Sequence, residues 1–278
     1  MPKFINGKNT TKGKQFLKWA GGKQQLLPEL AKYIPKSYGR YFEPFLGSGA
    51  YFFNVIEGKA FLSDINEDLI NCYQVVKNDV EKLIESLKKH ENTSEYFYQM
   101  RATDTDSLDK LERASRFIFL NRTCFNGLYR VNKSGKFNVP FGKYKNPNIV
   151  QEDKLKLASL ELKRATIVYS DYKKVLKKAK KNDFIYLDPP YFPLSDYSDF
   201  KRYNKEFFYK EDHKELAKIY KELDKLGCKI LLSNSDTEFT RDLYKEWNIK
   251  TVTAKRMINC IASKRGNVNE ILVTNYEI

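Results

Sequence analysis

The sequence predicts an α/β protein whose open, mostly parallel sheet is interrupted by one inserted module. Three observations carry that expectation. Short apolar runs bounded by Gly, Asp, Asn or Pro recur along the chain, and helix-period patterns lie between several of them. One gap between successive runs is also far too long for a single crossover.

Taken in order, the runs predict strands at Arg40–Pro44, Lys59–Ser63, Thr166–Ser170, Asp183–Leu187, Lys229–Ser233, Lys250–Thr253 and Glu270–Asn275. Helical patterns fall at Gln24–Tyr33, Glu67–Lys77, Val80–Lys89 and Lys210–Leu226. The last is the clearest, with Leu216, Ile219, Tyr220 and Leu223 at i, i+3, i+4 and i+7. Between Asp64 and Thr166 lie about 100 residues, where a crossover needs one helix. The expected division is therefore a sheet domain of residues 1–77 and 165–278, with an insert at 78–164. The insert begins helical (Val80–Lys89, Leu108–Leu120) and becomes aromatic and basic over Asn121–Tyr144. There, Leu128–Asn132 and Lys136–Pro140 flank Lys133-Ser134-Gly135 and predict a β-hairpin.

Fifty Lys+Arg against 35 Asp+Glu leave a net charge of +15, which points to a polyanionic partner, nucleic acid before anionic membrane. Cysteines at 72, 124, 228 and 260 lack CxxC spacing and there are two histidines, so no zinc site is expected. None follows a proline, which removes the Pro-Cys nucleophile of cytosine-C5 methylation. Met1 to Lys14 carry no apolar core of signal length and no run reaches spanning length, so a reduced, cytoplasmic compartment is expected.

Residues 184–192 read Phe-Ile-Tyr-Leu-Asp-Pro-Pro-Tyr-Phe. An apolar strand ending in Asp188-Pro189-Pro190-Tyr191 puts these residues where open parallel sheets bind ligands, beyond the strand's carboxyl end. The lone pair of an aromatic amino group is delocalised into its ring. Two acceptors on the amino hydrogens, the Asp188 carboxylate and the Pro189 carbonyl, would draw the nitrogen toward tetrahedral geometry. The prolines fix φ, and Tyr191 offers a flat face to an unstacked base. This tetrapeptide indicates amino-group methylation; it separates base from protein amide less well.

Residues 41–50 read Tyr-Phe-Glu-Pro-Phe-Leu-Gly-Ser-Gly-Ala. Gly47 and Gly49 permit a tight turn against a ligand, though Phe52 stands where a dinucleotide fingerprint has its third glycine. Asp64 ends the next strand, the position of a ribose acceptor. Trp19 can wall such a pocket and Lys23 can meet a carboxylate; Gln24 after Lys23 excludes a P-loop. Asp171 reads either as an acceptor from an adenine amino group or as a helix cap.

Together these residues resemble the Dam family of DNA adenine methyltransferases from Lys18 to Tyr276, nearest to Gram-positive GATC methyltransferases of restriction–modification systems. The closest stretches are Leu-Lys-Trp-Ala-Gly-Gly-Lys (17–23), Phe-Glu-Pro-Phe-Leu-Gly-Ser-Gly-Ala (42–50), Phe-Asn-Gly-Leu-Tyr-Arg-Val-Asn (125–132) and Phe-Asn-Val-Pro-Phe-Gly-Lys-Tyr (137–144). The resemblance implies a Rossmann-like S-adenosylmethionine-dependent sheet with an inserted, mostly helical target-recognition domain. It implies methylation of adenine N6 in duplex DNA, within GATC, by base flipping and direct attack. Trp19, Lys23, Asp64 and Asp188 would contact S-adenosylmethionine, with Phe45, Gly47, Gly49 and Asp171 beside them and no metal. Lys18 and Arg130 would contact guanine, Leu128 and Pro140 thymine methyls, Tyr144 a further group, and Asn126 would lie beside the flipped adenine. Phe125 stands where some members carry Tyr, which keeps stacking and loses a phenolic hydrogen bond. A cognate restriction endonuclease and a monomeric state are the expected assembly. Enzymes acting on RNA or on protein glutamine share the tetrapeptide but would not be expected to carry this insert. A catalytically dead DNA-binding regulator would not need Asp64, Asp188, Tyr191 and both glycines intact.

Overall fold

A computed structural model describes residues 15–132, 134–194, 208–255 and 267–278. The amino-terminal segment, Lys133 of the hairpin turn and Cys260 lie outside the described residues.

All seven expected strands form: β1 (Tyr41–Glu43), β2 (Ala60–Asp64), β3 (Ala165–Tyr169), β4 (Phe184–Leu187), β5 (Lys229–Ser235), β6 (Asn248–Lys255) and β7 (Asn267–Thr274). They make one sheet in the order β3-β2-β1-β4-β5-β7-β6. β1 pairs in parallel with β2 and β4, and β4 with β5, whereas β7 runs antiparallel between β5 and β6. The order reverses at β1 and β4. In open sheets of this kind, ligands usually bind at such a switch point, beyond the carboxyl ends of the strands.

The chain forms two compact units, one of Met1–Lys23, Gly47–Glu57 and Asp64–Tyr169, the other of Gln24–Leu46, Gly58–Ser63 and Ser170–Ile278. In the second unit β4 is buried along its whole length, as its unbroken apolar run Phe-Ile-Tyr-Leu requires of a central parallel strand. The prolines that follow have no N–H for a ladder, so pairing stops at Leu187. At the amino end of the same pair, Asp183 is 3% exposed. It accepts from Arg40 Nη2 at 2.6 Å, Arg40 N at 3.0 Å and Lys180 N at 2.8 Å, which pins β1 against β4. The predicted helix at 24–33 is shorter, Leu27–Leu30 (α1) continued by a 3-10 turn at Ala31–Tyr33, because Pro28 favours a first-turn position. Helices α8 (Tyr172–Leu176), α9 (Lys210–Lys225) and α10 (Glu238–Leu243) complete this unit.

The first unit is mostly helical: α2 (Ala50–Asn54), α3 (Glu67–Asn78), α4 (Val80–Leu87), α5 (Ser94–Ala102), α6 (Lys110–Thr123) and α7 (Glu152–Leu162). Asp109 and Glu112 close a capping box that starts α6. Phe97 from α5 and Phe119 and Leu120 from α6 build a core with Cys124 and Val139. Each buried Phe contributes about 1.5–3 kcal/mol. Leu128, Phe137 and Phe141 pack onto that core, so the predicted hairpin sits on a helical base. The hairpin appears as antiparallel bridges, Val131 with Phe137 and Cys124 with Phe141, rather than as long strands. Asn138 N donates to Arg130 O at 3.0 Å and Asn132 N to Lys136 O at 2.9 Å.

Candidate active site

In the first unit, Gly47 (φ 47°) and Gly49 (φ 63°) both take left-handed backbone. A side chain at Gly47 would begin 2.9 Å from Trp19 Cδ1, so the indole occupies the space that the missing Cβ leaves. Asp64 at the end of β2 ties the turn down: Oδ2 accepts from Gly47 N and Oδ1 from Asn66 N, each at 3.0 Å. Burial pushes the Asp64 carboxyl above its ordinary value, and these backbone N–H groups pull it back. Tyr73 donates to Gly47 O at 3.0 Å. Lys23 is buried, and its ammonium donates to Gly21 O at 3.0 Å. Trp19 stacks on Tyr129, with centroids 5.3 Å apart and planes at 20°, and Tyr129 in turn lies 5.8 Å from Phe137.

The same unit gathers the residues assigned to DNA. Asn126 (φ 56°) and Gly127 (φ 61°) make a left-handed turn, a conformation Asn tolerates better than most residues. Asn126 N donates to the Tyr144 hydroxyl at 3.1 Å, and the Lys18 ammonium stands 4.6 Å over the Tyr144 ring. Burial, then Arg122, lowers the Lys18 pKa. Arg130 is exposed, with Nε donating to Asn138 Oδ1 at 2.7 Å and Nη2 to Asn138 O at 3.1 Å. Pro140 and Phe125 are exposed, whereas Leu128 is half-buried on the hairpin's core.

In the second unit, Phe45 follows β1 and lies 5.1 Å from the Tyr172 ring. Asp171 caps α8, accepting from Lys173 N at 2.7 Å, which engages one of its oxygens. Asp188 follows β4, and Ser233 of β5 donates to its Oδ1 at 2.9 Å. The next two residues of β5 grip the same segment. Asn234 Oδ1 accepts from Phe192 N at 3.1 Å, and Ser235 donates to Phe192 O at 2.7 Å. Pro189 is buried and Pro190 exposed. The Tyr191 hydroxyl donates to Glu270 Oε2 of β7 at 2.6 Å. Burial, then the Asp188 and Glu270 charges, raise its phenol well above the ordinary value, so Tyr191 stays neutral and is no general base.

A model of the D12 class of N6 adenine-specific DNA methyltransferases matches residues 19–258. The chain belongs to that family. It is an adenine-specific DNA methyltransferase. It is 44% identical over 277 residues to the Type II methyltransferase M1.LlaDCHI of Lactococcus lactis, covering 97% of this chain and 98% of the relative. It is 45% identical to the Type II methyltransferase M.MjaIII of Methanocaldococcus jannaschii (95% and 99% covered). It is 35% identical to the DNA adenine methylase of Escherichia coli (94% and 95% covered).

Several residues of this methyltransferase escaped sequence reasoning: Ser233, Asn234, Ser235 and Glu270 behind Asp-Pro-Pro-Tyr, Tyr129 against Trp19, and Asn121 beside Lys18. One signal was available. The apolar run Ile230–Leu232 ends in Ser-Asn-Ser, and these three polar residues are at most 3% exposed. Buried polar groups need partners.

Proposed function

We propose that the enzyme takes the methyl group from S-adenosylmethionine and places it on N6 of the adenine in GATC, on a base turned out of duplex DNA. The observation that carries this reading is the Asp188–Tyr191 segment at the carboxyl end of β4, braced by Ser233, Asn234, Ser235 and Glu270.

The residues fit the cofactor. The left-handed Gly47 turn with Trp19 in place of a Cβ is a cradle shaped for close approach, and Asp64 keeps lone pairs beyond its two backbone bonds. Trp19, Lys23, Phe45, Gly47, Gly49, Asp64, Asp171 and Asp188 would hold S-adenosylmethionine, which supplies an electrophilic methyl. Asp188 and the Pro189 carbonyl accept the two amino hydrogens, so nitrogen's lone pair leaves the ring. The Asp188 carboxylate is the acceptor for the proton that the amino group sheds. Tyr191, fixed by Glu270, stacks against the base. This is catalysis by positioning and hydrogen bonding, without a covalent enzyme intermediate.

Residues 78–164 serve as the target-recognition domain and residues 1–77 and 165–278 as the catalytic domain. Lys18 and Arg130 read guanine, Leu128 and Pro140 meet thymine methyls, Asn126 lies beside the displaced adenine, and Tyr144 makes a further contact. The net charge of +15 supports an anionic duplex as substrate. Relatives described as Type II methyltransferases support a partner endonuclease at the same site. A monomer is the proposed acting form.

The test is transfer from labelled S-adenosylmethionine to a duplex with GATC and to one with those bases scrambled. Label recovered as N6-methyladenine from the first alone is expected. Equal label in both would remove the GATC reading. A DNA product without use of this donor would remove the cofactor.

A further inference from the structure

We propose that Asn121 is a specificity-determining positioning residue, which holds the Lys18 backbone and the Asn126–Gly127 turn in one fixed register. The proposal rests on the reading that Lys18 contacts a base. The Asn121 amide oxygen accepts from Lys18 N at 2.9 Å. Its amino group donates to Lys18 O at 2.7 Å and to Gly127 O at 3.3 Å. One side chain thereby joins both backbone groups of Lys18, 103 positions away in sequence, to the recognition turn.

The partners also fix the amide's orientation, since one N–H and two carbonyls face it. The joint has no slack. A Cβ on Gly127 would lie 2.1 Å from Lys18 Cδ and 2.6 Å from Lys18 Cβ, so the lysine stem is folded directly over the turn. From there its ammonium reaches the ring of Tyr144, whose hydroxyl accepts from Asn126 N. Asn121 is 3% exposed and belongs to α6, next to Leu120 and Phe119 of the hairpin's core. A rigid helix therefore sets where Lys18 and Asn126 stand relative to each other. Arg130 is held separately, by Asn138 on the other arm of the hairpin.

A base contact discriminates only while its donor is held to within a fraction of an ångström. Loosening Asn121 should therefore degrade reading at the base pair that Lys18 serves and spare the pair that Arg130 serves.

The experiment measures kcat/KM on the cognate duplex and on four duplexes with one base pair replaced in each. The enzymes are wild type, Lys18→Ala, Arg130→Ala, Asn121→Ala and Asn121→Asp. Asn121→Asp keeps the size and the acceptor but turns a carboxylate toward two carbonyls. A ratio of two kcat/KM values from one preparation does not depend on how much of it is folded, so instability cannot mimic the effect. Both Asn121 variants should lower discrimination about fivefold or more at the pair affected by Lys18→Ala, the low end of what one base contact provides. They should leave the Arg130 pair unchanged. An equal fall on every duplex, with all ratios intact, would overturn the proposal. If Lys18→Ala changes no ratio but the Asn121 variants do, the Lys18 reading fails and the positioning role stands through the Gly127 turn. If neither changes a ratio, both fail.

Discussion

Replacing Ser233 with alanine tests how the Asp188 carboxylate is held. An ionised carboxylate only accepts, so the single Ser233 proton goes to Asp188 Oδ1 at 2.9 Å. The contact of 3.1 Å between Ser233 Oγ and the Tyr186 hydroxyl then runs the other way, with tyrosine donating. The chain is Tyr186 to Ser233 to Asp188, and Tyr186 and Ser233 are almost wholly buried. Ser233→Ala therefore does two separable things. It removes a charge-assisted bond, with a contribution of about 1.5–3 kcal/mol. If that bond orients the carboxylate in the transition state, kcat falls about 10- to 150-fold. It also removes the contact of the Tyr186 hydroxyl with Ser233 Oγ, at a cost of about 0.5–1.5 kcal/mol of stability.

The two effects part in the double variant. Adding Tyr186→Phe to Ser233→Ala removes the hydroxyl that lost this contact, so kcat should stay low whether or not thermal stability recovers. Single-turnover methylation at saturating DNA and donor reads the first effect, and a thermal melt reads the second. Wild-type kcat in Ser233→Ala, or activity that returns together with stability in the double variant, would refute the orienting role.

Further outcomes follow from the same structure. Arg130→Ala should cost about 1–3 kcal/mol of discrimination at one base pair; uniform loss across all duplexes would make Arg130 a phosphate anchor. Gly47→Ala forces a Cβ to 2.9 Å from Trp19 Cδ1 at φ 47°, so donor affinity measured by calorimetry should fall at least tenfold, with DNA affinity retained. Unchanged donor affinity would separate this turn from the cofactor. His90 bonds Tyr96 and Ser115 and stacks on Phe119, and burial pushes its imidazole from 6.5 down to about 4. The unfolded chain takes up that proton first, so this stability is present above pH 6.5 and is lost as pH falls toward 4. The melting temperature should drop over that window, and His90→Gln should flatten the slope.

The strands were legible because their signals are local: an apolar run and turn residues at both ends mark each one, wherever it pairs. The helices were less so. α5 buries Phe97 among polar neighbours and depends on its Thr93 cap, so periodicity does not reveal it. Asp188, Tyr191, Asp64 and the two glycines could be singled out as candidates because each lies in a short motif at a strand end. Asn121 and Glu270 could not, because their partners arrive from 103 and 79 positions away.

Ser233 stands between these cases, since the sheet itself delivers it. β4 and β5 are parallel, with Leu187 opposite Leu232 and Tyr186 opposite Leu231. One residue further on, Asp188 must come beside Ser233. The period of two puts Tyr186 on the face of Asp188, and Leu231 on that of Ser233. A one-residue slip of β5 would set Leu232 beside the carboxylate and turn the hydroxyl to the other face. The apolar Ile230–Leu232 run and the Ser-Asn-Ser that ends it thus fix register and chemistry together. The burial that aligns Leu187 with Leu232 also gives the Asp188 carboxylate a donor.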